Sequence, residues 1–239
     1  AGAAGAAGAA GAAGVDLALF DRLRGRKAPE RAFMVVEPAA PGSPARFVAR
    51  DRRAAVFFVE SGFALALAGE TGEQRGWGLH FALDGARVVE PMAVDPMPGR
   101  VHVFVGNDET KWRLGLPIFA RVVYDDVYPG IDLVVEPTRA GLEYGFIVAP
   151  GADVSRIRVR WKGANAVRVV EPQASGGIDG GAALAIATGL GTLTESGLRC
   201  VEDGRVDGRE VDCAYAVASG AVAFALAPYR VSQSVEHLL

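Results

Sequence analysis

From Phe33 onward, short apolar runs alternate with turn-forming residues, a pattern that predicts β-strands rather than helices. The runs are short and evenly spaced, which is typical of antiparallel sandwiches and barrels. We therefore expect an all-β protein with a two-lobed, antiparallel β-sandwich-like architecture. Sixteen segments have this strand pattern: FMVVE, RFVAR, AAVFFVE, FALALA, WGLHFAL, ARVVE, RVHVFVG, IFARVVY, IDLVVEP, LEYGFIVA, RIRVRWK, AVRVV, ALAIAT, LRCVE, REVDCAYAV and AVAFALAPY.

Changes in composition divide the 239-residue chain into five parts. Residues 1–14 have glycine at every third position and no proline, and we interpret them as a low-complexity tether or placeholder. Residues 15–30 form a short helical or extended arm. Two β-lobes are expected at 31–135 and 136–230, and residues 231–239 form a tail.

The arm combines apolar residues with a cluster of cations near its end. Five apolar residues could line a short helix: Val15, Leu17, Leu19, Phe20 and Leu23. The cations are Arg22, Arg24, Arg26 and Lys27. They fit a solvated helix C-terminus, where the macrodipole favours positive charge, or an arm that docks on an anionic partner.

Charge argues against a nucleic-acid partner. The chain has 25 basic and 28 acidic side chains and a formal charge of -3, whereas polyanion binding requires a dense basic face. Half of the residues are hydrophobic, yet no run approaches the roughly 20 apolar residues of a membrane span. We expect no nucleic-acid partner and no membrane span.

The two cysteines, Cys200 and Cys213, flank a segment that has the pattern of a hairpin turning near Asp207 and Gly208. This pattern predicts adjacent strands for the pair. A disulfide requires Cα atoms about 4.4–6.8 Å apart, and the hairpin register decides between a bridge and two free thiols. A bridge would indicate an exported protein.

The segment RIRVRWK predicts a strand with a charged face. Period-two alternation places Ile157, Val159 and Trp161 on the buried face and a row of cations on the other. The row consists of Arg156, Arg158, Arg160 and Lys162. It fits a solvated face paired with acidic neighbours, or a site for an anion or glycan in which Trp112 supplies a stacking surface.

The motifs of common enzymes are absent. The chain contains no G-x-S-x-G, HExxH, P-loop or CxxC string, and GLGTLT at 189–194 is interpreted as a turn. The widely spaced His80, His102 and His237 suggest no zinc site. We expect no catalytic residues.

Acidic residues are the remaining candidates for metal binding or catalysis. Asp108, Asp125 and Asp126 lie beside turn signals, where Asx side chains bond to backbone N–H groups. Oxygen-rich turns also bind calcium, so these residues are candidate calcium ligands. Converging carboxyls could hydrolyse glycosides if they lay about 5–9.5 Å apart in a cleft.

Several strings in fixed order carry a family resemblance: GNDETKW, VYPGIDL, LEYGFIVAPGAD and FALAPY. With them the chain resembles the domain of unknown function that precedes SBBP-type β-propeller repeats in large exported bacterial proteins. Gly145 stands where that family has an acidic residue. The resemblance implies a cell-surface, extracellular or periplasmic location and assigns no activity.

These observations lead us to expect a non-catalytic structural or protein-interaction module of a larger bacterial surface complex. Its partners would be other protein subunits, bound through edge strands, an exposed apolar patch, the arm or the tail. The alternatives are a carbohydrate-binding module and a carboxylate-based glycosidase.

Overall fold

The computed structural model describes residues 34–51, 54–69, 76–138, 141–171, 182–202, 209–227 and 235–238, the last by backbone only. The expected tether and arm lie outside these residues, as do most of the tail and the predicted turn at Asp207 and Gly208. The regular structure of the described chain consists of strands and two 3-10 helices, Glu109–Lys111 and Val154–Arg156. The all-β prediction is confirmed.

Twenty strands are present in the described ranges. In chain order they are β1 (Glu37–Pro38), β2 (Phe47–Arg50), β3 (Ala54–Val59), β4 (Gly62–Ala68), β5 (Gly76–Leu83), β6 (Met92–Pro96), β7 (Val101–Val103), β8 (Arg113–Leu116), β9 (Phe119–Tyr128), β10 (Ile131–Pro137), β11 (Leu142–Val148), β12 (Val159–Lys162), β13 (Ala166–Val170), β14 (Ala183–Thr188), β15 (Gly191–Glu195), β16 (Arg199–Glu202), β17 (Glu210–Val211), β18 (Cys213–Ala218), β19 (Ala221–Leu226) and β20 (Val235–Leu238).

Two large antiparallel sheets form the body of the molecule. The eight-stranded sheet has the order β1-β2-β3-β4-β5-β12-β19-β18, and the seven-stranded sheet has the order β17-β16-β20-β11-β10-β9-β6. Smaller sheets are formed by β13-β14-β15 and by β7-β8. Tight turns set the strand register: Gly130 has a φ of 73° in the turn between β9 and β10, where Pro129-Gly130 predicts a turn.

The inner faces of the two large sheets share one apolar core. Phe63 and Phe81 of the eight-stranded sheet stack with ring centroids 4.5 Å apart, and Tyr144 of the seven-stranded sheet meets Phe81 edge-on at 4.7 Å. Phe146 contacts Phe224 across the same interface, at 6.0 Å. These rings are at most 7% exposed, so they contribute a large share of the hydrophobic stabilisation.

The predicted boundary between lobes at 135/136 does not coincide with a boundary between the two large sheets. Strand β10 runs across it, and β12, β18 and β19 from the second predicted lobe complete a sheet that begins with β1–β5. Apolar residues from both halves belong to a single core cluster. Composition could not reveal this arrangement because it depends on pairing between strands distant in sequence.

Three local predictions also differ from the structure. ARVVE, residues 86–90, is irregular, and Arg87 N–H donates to the Val127 carbonyl instead of to a ladder partner. RIRVRWK forms a strand only from Val159, because Arg156 ends a 3-10 helix. GLGTLT is a turn only at Gly189 and Leu190, after which β15 begins.

Candidate functional site

The β7–β8 hairpin carries the most exposed apolar cluster among the described residues. Phe104 is 61% exposed, Val105 52% and Leu114 60%. The half-buried indole of Trp112 meets the Phe104 ring edge-on, with centroids 5.1 Å apart. We call Phe104, Val105, Trp112 and Leu114 the hairpin surface.

Local polar contacts hold the hairpin surface in shape. Asp108 caps the 3-10 helix Glu109–Lys111: its carboxylate accepts from Thr110 N–H at 3.1 Å and from the Thr110 hydroxyl at 2.6 Å. The Trp112 indole N–H donates to the Gly106 carbonyl at 3.2 Å. His102 Nδ1 accepts from Gly115 N–H at 3.2 Å, across the hairpin. The exposed apolar side chains therefore project from an ordered turn.

A groove adjoins the hairpin surface. It encloses about 460 Å³ and is lined in part by Pro41, Phe57, Val103, Val105 and Arg113. Arg113 donates to the carbonyls of Pro38 and Ala39 at 2.8 and 3.0 Å, which ties the hairpin to the end of β1. Val105 belongs to both the groove and the hairpin surface, and the cations Lys111 and Arg113 also line the groove.

A second site surrounds a buried carboxyl group. Glu195, the last residue of β15, accepts a hydrogen bond at Oε1 from the Tyr144 hydroxyl at 2.8 Å. Its Oε2 is shielded from solvent, and the side chains of Trp161 and Tyr215 also face this carboxyl group. A cavity of about 400 Å³ adjoins it, lined in part by Phe63, Leu142, Tyr144, Trp161, Ile186 and Glu143.

Burial dominates the acidity of this group. Loss of solvation raises the pKa of Glu195 to about 7, while the hydrogen bond from Tyr144 and the nearby polar groups of Tyr215 and Trp161 act in the opposite direction. The same desolvation, with the neighbouring Glu195 charge, raises the pKa of Tyr144 well above its usual value. A carboxyl that exchanges its proton near neutral pH can accept or donate hydrogen bonds to a ligand in the cavity.

Glu195 was missed by the sequence analysis because GLGTLT was interpreted as a turn. The alternation of side chains along β15 indicates that Glu195 faces inward: Thr192 and Thr194 are exposed, whereas Leu193 and Glu195 point inward. An acidic residue on the apolar face of a strand is expected to be paired or neutral.

The predicted row of cations is divided between two elements. The alternation is present, since Ile157, Val159 and Trp161 are buried and the cations face outward. However, Arg160 forms an ion pair with Asp84, with Nη2 and Oδ2 2.6 Å apart. It also donates a hydrogen bond to the Ser219 carbonyl.

The other cations complete this picture. Arg156 ends a 3-10 helix, Arg158 precedes β12, and Lys162 is exposed at the end of β12. Trp112 belongs to the β7–β8 hairpin and not to the eight-stranded sheet that holds β12. The structure thus does not place Trp112 on the cationic face.

The predicted calcium ligands are engaged in turn chemistry. Asp108 bonds Thr110 and pairs with Lys111 at 3.2 Å. Asp126 has a φ of 55°, accepts from Gly130 N–H at 2.7 Å and forms an ion pair with Arg87. Asp125 is half-buried beside it. Within the described ranges, no three acidic, histidine or cysteine side chains are grouped as metal ligands.

Cys200 and Cys213 are joined by a disulfide, with Cα atoms 6.2 Å apart. The pair does not face across one hairpin as predicted, because Cys200 lies opposite Val211. The chain then leaves β17 at Asp212 and enters β18 of the other sheet, where Cys213 is the first residue. The bridge therefore links the two large sheets.

The class of protein is an all-β sandwich of two antiparallel sheets, with an apolar hairpin surface outside the core. No helix in the described part of the chain has the length and hydropathy of a membrane span. The chain belongs to the family described as "Domain of unknown function (DUF7948)", whose model matches residues 39–235. Neither the curated proteins nor the solved structures contain a match to the chain.

Proposed function

We propose that this protein is a non-catalytic, exported interaction module that docks another protein subunit on its hairpin surface. The observation that carries the proposal is the joint exposure of Phe104, Val105 and Leu114 on a hairpin whose turn is ordered by hydrogen bonds. Exposed apolar groups on an ordered hairpin favour a protein partner, because binding removes them from water at little entropic cost.

The adjoining groove supports a protein rather than a single small molecule. The hairpin surface offers a raised apolar edge, and the groove beside it offers a complementary depression walled by Arg113. A raised aromatic anchor next to a groove with an arginine rim is the usual composition of an interaction hot spot.

Export is supported by two separate observations. The Cys200–Cys213 disulfide requires an oxidising compartment to persist. The resemblance to domains of SBBP-type exported bacterial proteins points to the same location, at the cell surface, in the periplasm or outside the cell.

Site-specific photocrosslinking in the native host tests the docking proposal. A photoreactive residue at position 104 or 114 should yield the same discrete crosslinked species. Val88 is the matched control, because it is 78% exposed and lies outside the hairpin surface. The proposal is wrong if positions 104 and 114 give no product, or if position 88 gives the same product with equal yield.

Carbohydrate binding is a second candidate, favoured by the exposed Phe104 ring and the half-buried Trp112 ring that meets it edge-on. A glycan array probed with the wild-type protein and with Trp112→Ala tests it. Binding that Trp112→Ala abolishes would favour this candidate over subunit docking. Silence of the wild-type protein across a broad array would eliminate it.

The hypothesis of a carboxylate glycosidase would place the reaction in one cavity, which both Glu143 and Glu195 line. The raised pKa of Glu195 suits a general acid. Hydrolysis of aryl glycosides that Glu195→Gln abolishes would support the hypothesis. Equal rates for both proteins would assign any hydrolysis to a contaminant.

A further inference from the structure

The cavity beside Glu195 lies where the three-stranded sheet meets the two large sheets. Its lining comes from β4 and β12 of the eight-stranded sheet, from β11 of the seven-stranded sheet, and from β14 and β15. Part of the lining is buried, with exposures of 0% for Phe63, 2% for Ile186 and 8% for Trp161, whereas Thr194 and Ser196 are exposed. The cavity of about 400 Å³ thus leads from solvent into the core, and its volume suits a small organic ligand.

The buried part of this cavity is largely aromatic. The Phe63 ring centroid lies 6.1 Å from that of Trp161 and 6.4 Å from that of Tyr144. Leu65 and Leu193 also line the cavity. This lining can remove the apolar body of a ligand from water, and aromatic rings attract a cation within about 6 Å of their centroids.

Glu195 supplies a polar group at the buried part. Its Oε1 accepts from the Tyr144 hydroxyl at 2.8 Å, whereas its Oε2 is buried without a hydrogen-bond partner among the described residues. The Trp161 indole N–H and the Tyr215 hydroxyl are near the same carboxyl, and neither makes a hydrogen bond of normal geometry there. The carboxyl is therefore surrounded by neutral donors and keeps one oxygen for a ligand.

The cavity offers this carboxyl no counter-charge. Its described lining contains no lysine, arginine or histidine, and its two ionisable carboxyls are Glu143 and Glu195. Because Glu143 has an interaction partner of its own, the ligand is assigned to Glu195 alone. Burial outweighs the neutral donors and raises the pKa of Glu195 to about 7. A paired cation stabilises a buried carboxylate, whereas an anionic ligand would be repelled.

We infer that this cavity binds a small organic ammonium ion. The apolar body of the ligand lies among Phe63, Trp161 and Leu193, and its ammonium group donates to Oε2 of Glu195. The hairpin surface and its partner take no part in this binding. Because no bond is broken, binding is also separate from glycoside hydrolysis.

Isothermal titration calorimetry of the purified full chain at pH 8 tests the inference. The probes are 2-phenylethylammonium and hexylammonium, their neutral counterparts 2-phenylethanol and hexanol, and the anion 3-phenylpropanoate. Each ammonium ion should bind about tenfold or more tightly than its alcohol, because only the ion pairs with the carboxylate, and the anion should not bind. Equal binding of ammonium ion and alcohol, binding of the anion, or no binding of either ammonium ion overturns the inference.

Three variants assign the binding to one carboxyl. Glu195→Gln keeps the size of the side chain and removes its charge, so it should weaken ammonium binding by about tenfold or more and leave the alcohols unaffected. Glu90→Gln is the matched control, because Glu90 is exposed and outside the cavity. Glu143→Gln examines the other carboxyl of the lining. Loss of affinity in Glu143→Gln with wild-type affinity in Glu195→Gln would show that Glu195 is not the ligand's partner.

The pH profile of the wild-type protein is an independent readout that requires no variant. Only the ionised carboxyl pairs with the ligand, so the affinity should rise with pH and level off above about pH 7. At pH 5 the ammonium ions should bind about 100-fold more weakly than at pH 8. Tyr144 and Tyr215 face Glu195 with raised pKa values and stay neutral in this range. Glu143→Gln should retain the profile, and a flat wild-type profile would contradict the inference.

Discussion

At the scale of single residues, Glu195 shows how environment decides chemistry. Its carboxyl lies among Tyr144, Trp161 and Tyr215, which are all at most 8% exposed. One carboxyl oxygen accepts a hydrogen bond from the Tyr144 hydroxyl. Desolvation penalises the charged form more than these donors stabilise it, so the pKa rises. The exposed Asp108, by contrast, has its pKa lowered by hydrogen bonds from Thr110 and Lys111.

The raised pKa of Glu195 predicts a pH-dependent stability. Since the native state holds the proton up to about pH 7 and the unfolded state releases it near pH 4.5, the free energy of unfolding should fall as pH rises between these values. The loss should be on the order of 3 kcal/mol. Glu195→Gln should remove this dependence and be more stable than wild type at pH 8.

Urea unfolding followed by fluorescence at pH 5, 6, 7 and 8 measures this effect. Glu90→Gln is a suitable control, because Glu90 is a well-exposed carboxylate paired with Arg46. It should retain the wild-type slope. A wild-type slope in Glu195→Gln would show that Glu195 titrates normally.

At the scale of elements, the β14–β15 hairpin shows how a small sheet is anchored. Its turn residue Gly189 lies against the ring of Trp77 in β5, and a Cβ at position 189 would overlap that ring. Trp77 also donates through its indole N–H to the Gly163 carbonyl at 2.9 Å. This contact sets where β15, and with it Glu195, meets the larger sheet.

Gly189→Ala should therefore destabilise the protein by about 1–3 kcal/mol, the usual cost of overpacking a fitted contact. Gly78→Ala is the matched control: Gly78 neighbours Trp77, and a Cβ there meets nothing within 4 Å. Thermal unfolding of both variants by circular dichroism measures the difference. Equal melting temperatures would mean that Trp77 moves aside freely.

At the scale of the whole molecule, the disulfide and the shared strands make one cooperative unit. Cys200 in the seven-stranded sheet is bonded to Cys213 in the eight-stranded sheet. The chain changes sheets between them, at Asp212. The bridge thus constrains the crossing point between the two layers.

Replacing both cysteines by serine should lower the free energy of unfolding by about 3 kcal/mol, because the closed loop spans a sequence separation of 13 residues. Denaturant unfolding with and without reducing agent measures it. The reductant should destabilise the wild-type protein and leave the double variant unchanged. An insensitive wild-type protein would mean that the thiols are free.

A chain cut after residue 135 should not fold as a separate lobe. The cut would divide β10 and remove β12, β18 and β19 from the eight-stranded sheet. Residues 31–135 expressed alone should lack the dispersed amide NMR spectrum of a folded β-domain. A dispersed spectrum would restore the two-lobe interpretation.

The sequence by itself determined the all-β class and many turns, because period-two alternation and Pro-Gly or Asx chemistry act within a few residues. Pro129-Gly130 and the Asp108 cap are examples. The buried alternation of Ile157, Val159 and Trp161 is another, although the strand itself begins later than predicted.

Only the tertiary structure decided which strands share a sheet, which cysteines face across the sandwich and which carboxyl is buried. The pairing of β5 with β12 joins Phe81 to Trp161, eighty positions apart. The Glu195 site needs residues from β11, β12, β15 and β18 to meet. Such convergence is set by non-local packing, which local alternation does not encode.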